Sequence, residues 1–110
     1  MDFSLEGKIA LITGGSRGIG QATALGFARA GADIAIASRK LPDLEKTAEE
    51  IRKTGRRVLA VSAHIGRMED MSNLVAKVKK EFGRIDILVN NAGSNPTMAS
   101  ALDVDEHAWD

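Results

Sequence analysis

The sequence predicts an α/β fold, a doubly wound parallel sheet, from three observations. Short, wholly apolar runs alternate with stretches of helical periodicity. A glycine-rich turn joins the first apolar run to the first helical stretch. The segments between runs are too long for hairpins, so they must be crossovers, and crossovers give parallel pairing. With 110 residues the chain has room for one domain at most.

Lys8 to Thr13 is a continuous apolar run flanked by Gly7 and Gly14, the pattern of a strand covered on both faces. Ile19, Ala22, Thr23, Gly26, Phe27 and Ala30 then recur at helical spacing and define one face of a helix, with Gly31 placed to cap it. Asp33 to Ser38 is the second strand. Pro42 suits the first turn of a second helix, whose inner face is Leu44, Ala48 and Ile51 and whose end is Gly55. Val58 to Ser62 is the third strand. The third helix turns Met71, Leu74, Val75, Val78 and Phe82 inward and Lys77, Lys79, Lys80 and Glu81 outward, and Met68 is expected in or near the core. Asp86 to Val89 is a fourth strand that reads as buried. A loop with Asn95 and Pro96 follows, and Asp103 to Asp110 resembles the first turns of a fourth helix. No internal repeat, low-complexity segment or linker interrupts the pattern.

Composition excludes several functions. Fifteen basic residues balance fifteen acidic ones, without the basic excess of nucleic-acid binders and membrane-surface proteins. The absence of cysteine excludes disulfide frameworks, cysteine zinc sites and thiol catalysis. No apolar run approaches a membrane span, and Met1 to Glu6 does not read as a signal peptide, so a cytoplasmic setting is expected.

The strongest motif is Thr13-Gly14-Gly15-Ser16-Arg17-Gly18-Ile19-Gly20. A glycine-rich turn lets backbone approach a pyrophosphate, and the following helix N-terminus presents free N–H groups to its charge. Gly14 permits the tight turn, Gly18 the close approach, and Gly20 the packing of helix on sheet. The spacing fits G-x-x-x-G-x-G, a longer-turned variant of G-x-G-x-x-G. A flexible strand–helix connection is the plainer alternative. A nucleoside-triphosphate P-loop is excluded because no Gly-Lys-Ser/Thr follows.

The end of the second strand selects the dinucleotide. NAD sites place an acid there to accept from the ribose hydroxyls. This chain has Ala37-Ser38-Arg39-Lys40 and no acid before Asp43. Arg39 can form a forked, charge-assisted contact with a 2′-phosphate, and the Ser38 hydroxyl can add a hydrogen bond. Arg17 is a second candidate cation. The expected cofactor is therefore NADP(H); a solvated basic turn is the alternative. Asn90-Asn91-Ala92-Gly93 follows the fourth strand, where small residues leave room for a ribose and Asn side chains can tie loops together.

Together these motifs resemble the short-chain dehydrogenase/reductase family, through Thr13-Gly14-x-x-x-Gly18-x-Gly20 and Asn90-Asn91-Ala92-Gly93 preceded by Asp86-Ile87-Leu88-Val89. The resemblance covers essentially the whole chain. It implies a Rossmann-like sheet, a nicotinamide cofactor, reversible hydride transfer between alcohol and carbonyl, a small-molecule substrate and a homo-oligomer. By position, Gly14, Ser16, Arg17, Ile19 and Gly20 would surround the phosphates, Ser38 and Arg39 the 2′-phosphate, and Asn91, Ala92 and Gly93 the ribose region. At the adenine pocket the family commonly has an Asp followed by an aliphatic residue; here the pair is His64-Ile65, so no carboxylate side chain is available there. His64 as an ordinary loop residue is the alternative. His107 and Trp109 read as packing or surface residues.

The family's catalysis needs a Tyr, a Lys four residues beyond it, a Ser and an Asn. This chain contains no Tyr, so no catalytic residue is assigned. The expectation is the N-terminal, cofactor-binding half of such an enzyme: four strands, three full helices and the start of a fourth, inactive alone and exposing an apolar strand edge. Within the class, ketone, quinone or retinoid reductases compete with a 3-oxoacyl-carrier-protein reductase. Outside it, a non-catalytic dinucleotide-binding module is the main alternative. An S-adenosylmethionine-dependent methyltransferase is disfavoured by Ser38-Arg39, where an acid is usual.

Overall fold

The computed structural model describes residues 4–14, 18–39, 41–64 and 66–91. Seven elements alternate along them: β1 (Ile9–Thr13), α1 (Gly18–Arg29), β2 (Asp33–Ser38), α2 (Leu41–Arg52), β3 (Val58–Ser62), α3 (Met68–Phe82) and β4 (Ile87–Asn90). The strands form one parallel sheet in the order β3-β2-β1-β4. The chain therefore winds outward from β1 to β3 and then crosses to the other side of β1, the reversal that defines a doubly wound sheet. The expected loop at Asn95-Pro96 and the fourth helix lie outside the described residues.

The sheet is covered on both faces, which is why its strands read as unbroken apolar runs. On one face Ile9, Leu11, Ala35, Ala37 and Val61 pack with Met71, Leu74, Val75 and Val78 of α3. On the other, Ala10, Ile12, Ile34 and Ile36 pack with Ala24 and Ala28 of α1 and with Leu44, Ala48 and Ile51 of α2. Alternate residues of β1 and β2 thus enter different cores, as the two-residue strand period requires.

Three expectations need correction. Of the expected α1 face, Phe27 and Ala30 pack half-buried against the core, but the fully buried residues are Gly20, Ala24 and Ala28, and Ile19 is 78% exposed. Spacing of four places these small residues on one face, and small side chains let the helix axis approach the sheet. Met68 is exposed at the start of α3 rather than in the core. The fourth strand is half-buried rather than buried, with Leu88 exposed, because β4 lies at an edge of the described sheet.

Polar contacts fasten β1 at both ends. At its start, Asp86 accepts the Ile9 N–H (2.8 Å) and the Arg84 Nε–H (2.9 Å), while Arg84 also donates to the Gly7 carbonyl. Burial pushes the Asp86 carboxyl up, but the Arg84 and Ile9 hydrogen bonds and the charges of Arg84 and Lys8 together hold it below its ordinary value. At the far end, the buried Thr13 hydroxyl donates to the Asn90 side-chain oxygen at 3.1 Å.

Candidate functional site

All of the described candidate residues except the helical Gly18, Ile19 and Gly20 lie where strands end. Parallel strands terminate on a common edge, so Gly14, Ser38-Arg39, His64 and Asn91 are brought together there from four separate stretches of sequence. Ser16, Arg17, Ile65, Ala92 and Gly93 lie outside the described residues.

The β1–β4 boundary is the reversal point of the strand order. Gly14 leaves β1 at φ +70°, a left-handed conformation that favours glycine, and its N–H donates to the Ala37 carbonyl at 2.8 Å. A Cβ at Gly14 would lie 3.5 Å from the Asn91 Cβ, so the two loops run side by side. The Thr13 carbonyl accepts from both the Asn91 N–H (3.3 Å) and the Asn91 side-chain amide (3.2 Å). Asn91 thus fastens the β4 end to the start of the glycine turn.

Helix α1 begins at Gly18, where φ is +53° and a Cβ would meet nothing within 4 Å. Its first turn carries no acid, whereas α2 has Asp43 and α3 has Glu69 and Asp70 in theirs. The first N–H groups of a helix lack intrahelical acceptors, and a nearby carboxylate would compete with any anionic ligand. The first turn of α1 therefore holds no carboxylate of its own that would compete with an anion there. Ile19 stands exposed beside it.

At the β2 end the two candidates differ. Ser38 is buried and its carbonyl accepts the Ala63 N–H at 2.9 Å, while Arg39 is exposed. Arg39 is thus the group accessible to a ligand. Its carbonyl accepts from the Ser62 hydroxyl at 3.3 Å.

At the β3 end the His64 N–H donates to Asp70 at 2.7 Å, and the His64 ring Nδ1 accepts the Gly66 N–H at 3.2 Å. The Arg67 N–H closes the turn onto the His64 carbonyl at 3.0 Å. Sequence reasoning singled out neither Ser62 nor Asp70. An acid in the first turn of α3 was the available signal for Asp70, since such residues commonly reach back to free N–H groups.

The donor set fits a dinucleotide phosphate: a glycine bend, an acid-free helix start, an exposed guanidinium after β2 and no carboxylate at that strand end. Comparison with known proteins gives the fold a lineage. The family model described as short chain dehydrogenase matches residues 8–110. The chain belongs to the short-chain dehydrogenase/reductase family. It is 47% identical over 100 residues to an uncharacterized oxidoreductase of Mycobacterium tuberculosis, covering 91% of this chain and 37% of that protein. It is 40% identical over 106 residues to human dehydrogenase/reductase SDR family member 4, covering 96% of this chain and 38% of that one. Among solved structures, L-sorbose reductase from Gluconobacter frateurii, complexed with NADPH and L-sorbose, superimposes with a TM-score of 0.81 at 44% identity, covering 86% of this chain and 36% of that one. The Pseudomonas aeruginosa RhlG/NADP complex gives 0.76 at 40% identity, covering 86% and 38%. The chain thus spans little over a third of the length of these relatives. Among the described residues, no helix is long and apolar enough to cross a membrane.

Proposed function

We propose that this short-chain dehydrogenase/reductase segment is the coenzyme-binding part of an NADP(H)-dependent oxidoreductase that interconverts a small carbonyl compound and an alcohol, working in the cytoplasm. The observation that carries the coenzyme assignment is Arg39, an exposed cation at the end of β2, where an NAD site would hold a carboxylate. In this reading the pyrophosphate rests against the Gly14–Gly20 bend and the α1 terminus, with Ser16 and Arg17 nearby. Arg39 and the end of β2 at Ser38 take the 2′-phosphate. His64 and Ile65 border the adenine, and Asn91, Ala92 and Gly93 border the ribose. The nicotinamide supplies the hydride, and this segment binds and orients the coenzyme that carries it. Two of its structural relatives are described as complexes with NADPH or NADP, which supports the same coenzyme here. No Tyr occurs in this sequence, so none of its residues is assigned the family's proton-handling role.

The test is a titration of the full-length protein with NADPH and NADH, followed by a screen of carbonyl substrates. Tighter NADPH binding and NADPH-dependent carbonyl reduction are expected. Tight binding of NADH alone would refute the coenzyme assignment. Binding without turnover of any carbonyl or alcohol would favour a non-catalytic dinucleotide module.

A further inference from the structure

The end of β3 is cross-linked in two directions by side chains that the coenzyme reading does not use. Toward β2, the Ser62 hydroxyl donates to the Arg39 carbonyl at 3.3 Å, and one residue on, the Ala63 N–H donates to the Ser38 carbonyl at 2.9 Å. Toward α3, Asp70 accepts the His64 N–H at 2.7 Å, a separation of six residues that closes the turn between strand and helix. The α3 N-cap residue, Arg67, makes no side-chain cap of its own, and the Asp70 carboxylate ties the first turn of this helix to the strand end. Neither Ser62 nor Asp70 is placed to touch the coenzyme in the reading above. Each instead holds the backbone of a residue that is.

The geometry points to Ser62 and Asp70 as positioning residues with separable effects on coenzyme binding. This inference rests on the NADP(H) assignment and adds to it a division of labour. Ser62 fixes the peptide that follows the Arg39 Cα and so restricts the directions from which the guanidinium departs. Only a ligand with a 2′-phosphate gains from that restriction. Asp70 fixes His64 at the adenine border, which NADPH and NADH share. Its contact is short and charge-assisted, and its loss frees the His64 N–H at a half-buried position.

The experiment measures dissociation constants of NADPH and NADH for the full-length protein and its variants, alongside steady-state kinetics. Ser62→Ala should weaken NADPH about two- to fivefold, the scale of one neutral hydrogen bond, and leave NADH unchanged. Ser62→Thr, which keeps the hydroxyl, should restore the wild-type ratio. Asp70→Ala should weaken both coenzymes by the same factor, about five- to tenfold, raising coenzyme KM while leaving kcat in place. Asp70→Asn keeps an acceptor oxygen and should recover most of the loss. Thermal melts of each variant identify loss of folding, and Ser62→Gly or Asp70→Val, which also remove the contact, stand in for an alanine variant that does not fold. If Ser62→Ala shifts both coenzymes equally or neither, or if Asp70→Ala changes the NADPH-to-NADH ratio, the positioning roles are wrong while the coenzyme assignment stands. If the wild-type protein binds neither coenzyme, the functional reading itself fails, and these roles with it.

Discussion

Replacing Arg39 by aspartate inverts the charge at the one described position on which the coenzyme assignment turns. Arg39 is exposed, so the contact it would make with a 2′-phosphate is partly screened. The lower end of the range for a charge-assisted hydrogen bond, about 1.5 kcal/mol, is therefore appropriate. The new carboxylate would face the phosphate at roughly 5–6 Å, and at an effective dielectric of about 60 each pair of unit charges costs about 1 kcal/mol. Counting a single negative charge on the phosphate, the sum is about 2.5 kcal/mol, a loss of at least roughly 70-fold in NADPH affinity. NADH has no 2′-phosphate, and its ribose hydroxyls can donate to the carboxylate for a gain of about 1 kcal/mol. Arg39→Asp should thus move the NADPH-to-NADH affinity ratio by a few hundredfold. Isothermal titration of the full-length protein with each coenzyme measures this directly. The shift should shrink as salt is added, since the site is open to solvent. A ratio that stays within about threefold of wild type would remove Arg39 from the site, and the electrostatic argument for NADP(H) with it.

Other expectations concern the scaffold. Gly14→Ala would add a Cβ at ordinary contact distance from Asn91, so its cost comes from the left-handed backbone; about 1–2 kcal/mol of stability should be lost in denaturant titrations, with weaker coenzyme binding. Leu74→Ala should cost about 2–5 kcal/mol, because Leu74 is wholly buried between α3 and the sheet; a smaller change in the unfolding midpoint would place that core elsewhere. Asp86 has a lowered pKa in the fold, so the stability it contributes is present above the unfolded value and lost as pH falls through the folded one. Thermal melts should therefore show the wild-type protein losing stability below about pH 4 more steeply than Asp86→Asn, with the two curves converging in strong acid.

Much of the fold could be read from the sequence because a doubly wound sheet writes itself in a simple code. The β2 and β3 runs were bounded correctly by the charged and glycine residues around them, and β1 and β4 to within one residue. The α1 face was not legible in the same way. The glycine motif marks Gly20 for the sheet, but periodicity draws attention to the exposed Ile19 and misses Ala24 and Ala28, small residues that carry almost no hydrophobic signal. The site shows the same division. Gly14 and Asn91 announce themselves by residue type, as a tight bend and a loop-tying amide. Ser62 and Asp70 act through backbone groups of other residues. Nothing in a serine at the end of a strand shows which carbonyl it will meet.

The fastening of β1 has a consequence for how the sheet finds its alignment. Sliding a strand by one residue normally exposes grease and buries charge, and that penalty selects the proper pairing. In β1 the polarity part of that penalty is small, and what remains is the misfit of large and small side chains. Ile9 and Leu11 supply one core and Ala10 and Ile12 the other, so a slid strand would still offer apolar groups to both sides. A stop at each end adds to that misfit: the Asp86 carboxylate on the Ile9 N–H, and the Asn90 side chain on the Thr13 hydroxyl. The interior of the strand supplies cohesion, and two polar contacts about four residues apart act as its ruler.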